Sequence, residues 1–207
     1  MLLNSITHIV FDLYNTLVEI KAPKQFFLKI YNRSKTKFGL SLKEYMQLIM
    51  TQELSSIETQ LGEEFSQLYT ELEHLLSEEL ESTTLFTETE EVLACLKKDY
   101  TICLLSNLAE PYAQPVKTLN LLSYFDYTFF SFKEGMVKPD PNLYLNATER
   151  IGALPTNILM VGDSYKSDFK GAQSVGWQAV QINRKTNLNH PFQINNLAQV
   201  LKELNHA

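Results

Sequence analysis

Four segments of this sequence carry polar side chains directly after a short run of apolar residues. They hold Asp12 and Thr16, then Ser106 and Asn107, then Lys138, and finally Asp163, Ser164 and Asp168. Apolar runs of this length are typical of buried strands. The carboxyl ends of parallel strands meet at one edge of a sheet, where open α/β sheets bind their ligands. We therefore expect these side chains to meet in one site.

Three of these side chains are carboxylates, those of Asp12, Asp163 and Asp168. Carboxylates crowded together repel one another strongly unless a cation joins them. Ligands that are all oxygen suit a hard ion, and Mg²⁺ typically takes one or two carboxylates together with waters and phosphate oxygens. Lys138 would add a fixed positive charge and Ser106 a hydroxyl donor. The set predicts a trap for a phosphoryl anion, with Asp12 available as a nucleophile.

Beyond residue 87, helical and strand patterns alternate along the chain. The predicted strands are residues 6–11 near the start, then 100–105, 127–130, 158–161 and 178–182. The predicted helices are residues 88–98, 111–120, 141–151, 166–175 and 193–204. Strands that alternate with helices imply βαβ units. The prediction is an α/β fold with a Rossmann-like, doubly wound parallel sheet.

Residues 20–86 have a different character, because they are rich in Glu, Gln, Leu and Ser. Ser41 and Glu44 fit a helix capping box. Apolar residues recur at helical spacing along 65–80, which favours helix packing over a ligand site. We expect an all-helical insertion of about four helices at 20–86, and a core formed by residues 1–19 and 87–207.

The composition excludes several classes of protein. Of the 207 residues, 44% are hydrophobic, and the net charge of −6 argues against a nucleic-acid surface. No apolar run approaches the length of a membrane span, and the first residues do not resemble a signal peptide. Cys95 and Cys103 lie in apolar contexts and are expected to be reduced. We expect a cytoplasmic monomer or homodimer that acts on a small molecule, without nucleic-acid or membrane partners.

Taken together, four motifs resemble those of the haloacid dehalogenase superfamily, in the branch that carries a helical cap after the first strand. The motifs are residues 11–17, 104–107, 137–141 and 161–168, in that order. The resemblance implies a hydrolase with a Rossmann-like core and a helical cap at 20–86.

The resemblance also implies roles for the site residues. Asp12 would be the nucleophile, and Ser106 would bind the transferred group. Lys138 would stabilise both the nucleophile and the phosphate. Asp12, Asp163, Asp168 and the backbone carbonyl of Tyr14 would bind Mg²⁺, Asp168 directly or through water. Thr16 and Asn107 complete the expected substrate-binding set.

One position departs from the family pattern. Phosphatases of this family carry a second Asp two residues after the nucleophile, as a general acid and base, and here that residue is Tyr14. Three functions therefore stay open. The first is a Mg²⁺-dependent phosphatase of a small phosphate ester. The second is a metal-free 2-haloacid dehalogenase, although the only cap arginine, Arg33, has no clear motif around it. The third is a weakly active or non-catalytic protein that binds a phosphorylated ligand.

Overall fold

The core of the protein is a six-stranded parallel sheet. The structure is a computed structural model, and it describes residues 5–184 and 191–204. The strands follow the order β5-β4-β1-β6-β7-β8. They are β1 (His8–Phe11), β4 (Thr101–Ser106), β5 (Tyr127–Phe130), β6 (Ile158–Gly162), β7 (Gln178–Ile182) and β8 (Gln193–Ile194). The predicted doubly wound sheet is confirmed.

Helices cover both faces of this sheet. They are α5 (Thr89–Leu96), α6 (Gln114–Thr118), α7 (Ser131–Glu134), α8 (Pro141–Ile151), α9 (Gly171–Ser174) and α10 (Gln199–Glu203). Along β1, Ile9 and Phe11 join one hydrophobic cluster, which contains α5 and α10, whereas Val10 joins the other, with α8 and α9. This alternation is what a strand buried on both faces requires.

The register of the central strands aligns their carboxyl ends. Phe11 of β1 lies opposite Leu104 of β4 on one side and Val161 of β6 on the other. The residues that follow these three positions include Asp12, Ser106 and Asp163. Parallel pairing therefore brings the chemistry-bearing segments to one edge, as expected.

Between β1 and α5 the chain forms four helices and a small ribbon. The helices are α1 (Phe26–Phe38), α2 (Leu42–Thr51), α3 (Leu54–Leu61) and α4 (Glu63–Glu81), and they share a hydrophobic cluster that also includes Ala109 of the loop after β4. The capping box of Ser41 and Glu44 is present at the start of α2. The number of helices agrees with the prediction.

Two local predictions were wrong. The segment 20–86 is not all helical, because its ends lie in an antiparallel ribbon of β2 (Val18–Ile20) and β3 (Thr83–Leu85). The closing segment 193–204 begins as strand β8, which pairs with β7, before a short helix. Pairing with a neighbouring strand determines both, and such pairing leaves little pattern in two or three residues. The helix predicted at 166–175 is present, and its first part, Tyr165–Lys170, is a π-helix that continues into α9.

Within the described residues, no helix combines the length and apolar character needed to cross a bilayer.

Candidate active site

Asp12 occupies the first position after the central strand β1. Its backbone N–H donates to the carbonyl of Val161 at 2.9 Å, which ties it to the neighbouring strand β6. Its side chain is only 10% exposed. A carboxylate buried at this depth needs partners, because its charge has lost most of its contact with water.

Lys138 supplies the main partner and is itself buried. Its ammonium group donates to Asp12 Oδ1 at 2.7 Å, to Asp168 Oδ1 at 2.6 Å and to the carbonyl of Leu105 at 2.7 Å. All three ammonium protons are thus used. Burial alone would lower the pKa of Lys138, but the charges of Asp12 and Asp168 outweigh burial and hold the pKa above its usual range. Lys138 is therefore a fixed positive charge between two carboxylates.

Two hydroxyl groups approach Asp12 from different sides. Ser106 Oγ donates to Asp12 Oδ1 at 3.1 Å, and Thr16 Oγ1 lies 3.5 Å from Asp12 Oδ2, at the limit for a hydrogen bond. Ser106 lines the cavity beside Asp12, whereas Thr16 is fully buried and does not line it. The position of Thr16 favours support of Asp12 over the substrate contact expected from the sequence.

Asn107 holds the segment that carries Lys138. Its side-chain amide donates to the carbonyl of Lys138 at 2.8 Å, and its side-chain oxygen accepts from the N–H of Lys138 at 2.7 Å. This reciprocal pair fixes the backbone of Lys138 relative to strand β4. Asn107 therefore has a positioning function that the sequence did not suggest, and its expected contact with substrate stays a prediction.

The three predicted carboxylates come together. Asp12, Asp163 and Asp168 each offer an oxygen, and these oxygens lie within 4.8 Å of one another. Burial, followed by the charges of Asp12 and Asp168, raises the pKa of Asp163 to about 6. Burial likewise raises the pKa of Asp168. Both shifts come first from burial and then from neighbouring negative charge, and a divalent cation would offset both costs.

The carboxylates differ in how many of their oxygens are already bonded. Asp168 Oδ1 accepts from Lys138, and Asp168 Oδ2 accepts from the N–H of Ser164 at 2.9 Å. Asp163 is half-buried, and the nearby Asn15 side chain partly offsets the rise of its pKa. Because the ligand atoms of these three carboxylates are all oxygen, the cluster fits a hard cation. Of Asp163 and Asp168, Asp163 is the carboxylate with fewer hydrogen bonds from the protein.

Gly162 permits the close approach of Asp168 to the end of β6. A Cβ atom at position 162 would lie 2.3 Å from Asp168 Cγ, which is far inside van der Waals contact. Only glycine leaves room for the carboxylate at this point. The glycine of the fourth motif is thus required by packing beside the site.

Tyr14 lies at the rim of the site and faces the helical segment. Its hydroxyl donates to the carbonyl of Tyr112 at 2.9 Å, and the two rings meet edge to face at 6.0 Å. Burial, and then the charge of Glu79, raise the pKa of Tyr14. The hydroxyl proton is therefore already donated to a backbone carbonyl.

Glu79 was not expected from the sequence. It is 4% exposed, and its Oε2 accepts from the Tyr112 hydroxyl at 2.7 Å. Its Oε1 accepts from the N–H groups of Lys24 and Gln25 at 3.1 and 3.4 Å. Glu79 thus connects α4, the segment before α1 and the loop after β4.

A signal for Glu79 was nevertheless present in the sequence. Leu72, Leu76 and Glu79 follow one another at spacings of four and three residues, so Glu79 lies on the buried stripe of α4. A carboxylate on an apolar stripe indicates a buried polar contact.

These groups surround one polar cavity, here called the site cavity. Its volume is about 200 Å³, and its walls include Asp12, Ser106, Lys138, Asp163 and Asp168. Of the predicted site residues, the structure brings all except Thr16 to this cavity, together with Asn15 and Ser167.

Comparisons with known proteins agree with this arrangement. The family model described as haloacid dehalogenase-like hydrolase matches residues 6–176. A mouse haloacid dehalogenase-like hydrolase domain-containing protein 3 is 31% identical over 42% of this chain and 35% of its own length. A phosphoserine phosphatase of Thermus thermophilus is 33% identical over 48% of this chain and 41% of its own length. The matches thus span less than half of these relatives.

Solved structures match over nearly the whole chain. A phosphatase of this family from Thermococcus onnurineus has a TM-score of 0.69 and 25% identity, covering 96% of this chain and 98% of its own. A 2-haloacid dehalogenase from Pseudomonas syringae has a TM-score of 0.67 at 21% identity, covering 97% and 99%. The second likeness concerns the fold alone. From the matched region and the fold, the chain belongs to the haloacid dehalogenase-like hydrolase family.

Proposed function

We propose that this protein is a Mg²⁺-dependent phosphatase that hydrolyses a small phosphate ester through an aspartyl-phosphate on Asp12. The observation that carries the proposal is the cluster of three carboxylates beside a buried ammonium group. A phosphoryl group needs both positive charge and an oriented nucleophile, and this edge of the sheet offers both. The phosphatase names of the Thermus and Thermococcus proteins support the same reaction class.

Asp12 is oriented for attack by its partners. Oδ1 is held by Lys138 and Ser106, whereas Oδ2 has only the long contact with Thr16. Oδ2 would attack phosphorus as the bond to the ester oxygen breaks, and the departing oxygen would take up a proton. Water would then attack the aspartyl-phosphate, releasing inorganic phosphate and restoring Asp12. Lys138 and the Ser106 hydroxyl would offset charge on the transferred group.

The donor set fits Mg²⁺. Asp163 and the backbone carbonyl of Tyr14 would be direct ligands together with Asp12. Asp168 would act through water, because both of its oxygens accept protein hydrogen bonds. When bound, Mg²⁺ would neutralise the crowded carboxylates and polarise the phosphoryl oxygens.

We also propose that α1–α4 form a cap on the core, with the division at residues 20–86 expected from the sequence. Support comes from their hydrophobic cluster, to which the core contributes only Ala109 and the partly buried Tyr112. The β2–β3 ribbon, where the chain leaves and re-enters the core, gives further support. The cytoplasmic location and the monomeric or homodimeric state are likewise proposals, made from the sequence.

Tyr14 favours a second candidate function, which is binding of a phosphorylated ligand with weak or no turnover. A positioned general acid typically contributes a factor of about 10² to 10⁴. The hydroxyl of Tyr14 is donated to a carbonyl, and its pKa is raised. Arg33 gives no comparable support to dehalogenation, because it is exposed and paired with Glu71 at 2.5 Å.

The test is a panel of phosphate monoesters and 2-haloacids, each assayed with Mg²⁺ and with a chelator. We expect phosphate release that requires the metal. Asp12→Asn should lower it by more than about 10³-fold, because the attacking charge is lost. Asp140→Asn is the matched control, since Asp140 caps α8 and Asn caps a helix equally well.

Other outcomes would select other functions. Halide release without metal would identify a dehalogenase. Phosphate binding without turnover would identify the second candidate. Calorimetry that detects no Mg²⁺ binding to the parent protein, or unchanged binding after Asp163→Ala, would overturn the metal assignment.

A further inference from the structure

A second cavity adjoins the site cavity on the side of the helices and is here called the apolar cavity. Its volume is about 390 Å³, and it lies between α1, α2 and the loop after β4. Its walls include Phe26, Phe27, Ile49, Met50 and Leu108. Tyr14 and Asn107 line both cavities, so the two cavities are neighbours at these residues.

The walls of the apolar cavity carry no charged side chain among the described residues that line it. Its inner polar groups are also already bonded. The Tyr112 hydroxyl donates to Glu79, the Tyr14 hydroxyl donates to Tyr112, and the Asn107 amide is paired with Lys138. Apart from the exposed Gln25 side chain, what remains is aromatic and aliphatic surface, which favours an apolar group and offers a carboxylate no cation.

We propose that the apolar cavity holds the leaving group of the substrate, and that this group is an uncharged alkyl or aryl chain. The proposal rests on the proposed function, because it places the phosphoryl group in the site cavity. It names the substrate class as phosphate monoesters of apolar alcohols or phenols. Phosphate esters that carry a carboxylate in the leaving group are excluded, because that carboxylate would be buried without a cation.

A series of alkyl phosphates tests this selection. Ethyl, butyl and hexyl phosphate have leaving groups of nearly equal basicity, so their chemistry is the same and only the buried chain differs. With Mg²⁺ present, kcat/KM should rise by about fourfold per methylene until the cavity is filled. Hexyl phosphate should exceed 6-(phosphonooxy)hexanoate, its analogue with a terminal carboxylate, by at least about tenfold.

Two variants on one helix test whether the apolar cavity determines the preference for hexyl phosphate over its carboxylate analogue. Met50→Lys places an ammonium group on the cavity wall, and a half-buried position tolerates a long side chain. It should lower the ratio of hexyl phosphate to its carboxylate analogue by about tenfold or more. Leu42→Lys, also on α2 but 42% exposed and outside the cavity, should leave that ratio unchanged.

Binding measured by calorimetry separates failure of this proposal from failure of the proposed function. Suppose that no ester is hydrolysed, yet hexylphosphonate binds more tightly than ethylphosphonate. The proposed phosphatase function is then wrong, and the assignment of the apolar cavity stands. A flat response to chain length, equal use of the carboxylate analogue, or equal ratios in Met50→Lys and Leu42→Lys would each overturn the cavity assignment.

Discussion

The two cavities that meet at Tyr14 and Asn107 are built by different means. The site cavity is polar, and its side chains are fixed by one another through contacts of 2.6 to 3.1 Å around Lys138. The apolar cavity is lined by side chains that pack between helices and the core. Charged groups at strand ends tolerate little displacement, whereas apolar walls accept many shapes. The first region is suited to fixed chemistry and the second to selection of the substrate.

The regions also differ in what holds them in place. The site cavity depends on the parallel sheet, where Asp12 and Asp163 follow paired strands and Ser106 ends one. The apolar cavity depends on the contact between helices and core, where Glu79 and Tyr112 form a buried hydrogen bond. A change in the first should abolish the chemistry, and a change in the second should alter only the choice of substrate.

Of the substitutions considered, replacement of Lys138 in the site cavity should cause the largest loss of stability and activity. Lys138→Met removes the charge that Asp12 and Asp168 share and leaves both carboxylates buried without their ammonium partner. Breaking a buried ion pair typically costs about 3 to 5 kcal/mol of folding stability. We expect a loss of this size in urea unfolding without metal, together with loss of phosphatase activity. Lys98→Met, at an exposed position, should change stability by less than about 0.5 kcal/mol.

A double variant tests whether charge balance is the cause. In Lys138→Met with Asp168→Asn, one of the unpaired carboxylates is neutralised, so part of the lost stability should return. A coupling free energy of at least about 1 kcal/mol between the two changes is expected. Additive effects would show that Lys138 contributes through packing and not through its charge.

Glu79→Gln should have a smaller effect, confined to the helical side. The Gln amide offers one oxygen, so either the Tyr112 hydroxyl or the N–H groups of Lys24 and Gln25 lose their acceptor. A buried donor without a partner costs about 1 to 3 kcal/mol, which urea unfolding would measure. Hydrolysis of ethyl phosphate should be nearly unchanged, whereas the preference for hexyl phosphate should weaken because Tyr112 lines the apolar cavity.

The adjacent residue provides the control for that variant. Glu78 lies on the same helix, is 52% exposed and pairs with Lys24 on the surface. Glu78→Gln should change stability by less than about 1 kcal/mol, as exposed ion pairs usually do. Equal losses for Glu78→Gln and Glu79→Gln would mean that the buried contact does not hold the helices on the core.

The sequence predicted the site cavity far better than the apolar one. Residues such as Asp12 and Asp163 follow apolar runs, and parallel pairing then dictates that they converge. The apolar cavity has no such rule, because Phe26, Ile49 and Leu108 come from distant segments and share only an apolar character. Their meeting depends on how the helices pack, and helical periodicity does not specify that.

The same contrast between local pattern and tertiary packing explains why the sequence did not predict strand β8 or the positioning function of Asn107. Strand β8 has two residues and exists because it pairs with β7, so no periodicity reveals it. The positioning function of Asn107 depends on the backbone of Lys138, 31 residues away. Contacts between segments far apart in the chain are set by the tertiary structure and not by local pattern.

Tyr14 lies where the two cavities meet, and its replacement should have the smallest effect on the reaction. Tyr14→Phe removes the hydrogen bond to the carbonyl of Tyr112 but keeps the ring between the cavities. Stability should fall by about 0.5 to 1.5 kcal/mol, the usual contribution of such a bond. Because the hydroxyl is donated elsewhere and burial raises its pKa, kcat/KM should change by no more than about twofold. Tyr14→Asp would restore the carboxylate at the family's acid and base position, and ethyl phosphate should gain more than phenyl phosphate, whose leaving group needs little help. A loss of more than about tenfold in Tyr14→Phe, in protein shown to be folded and Mg²⁺-bound, would place the hydroxyl in the reaction itself.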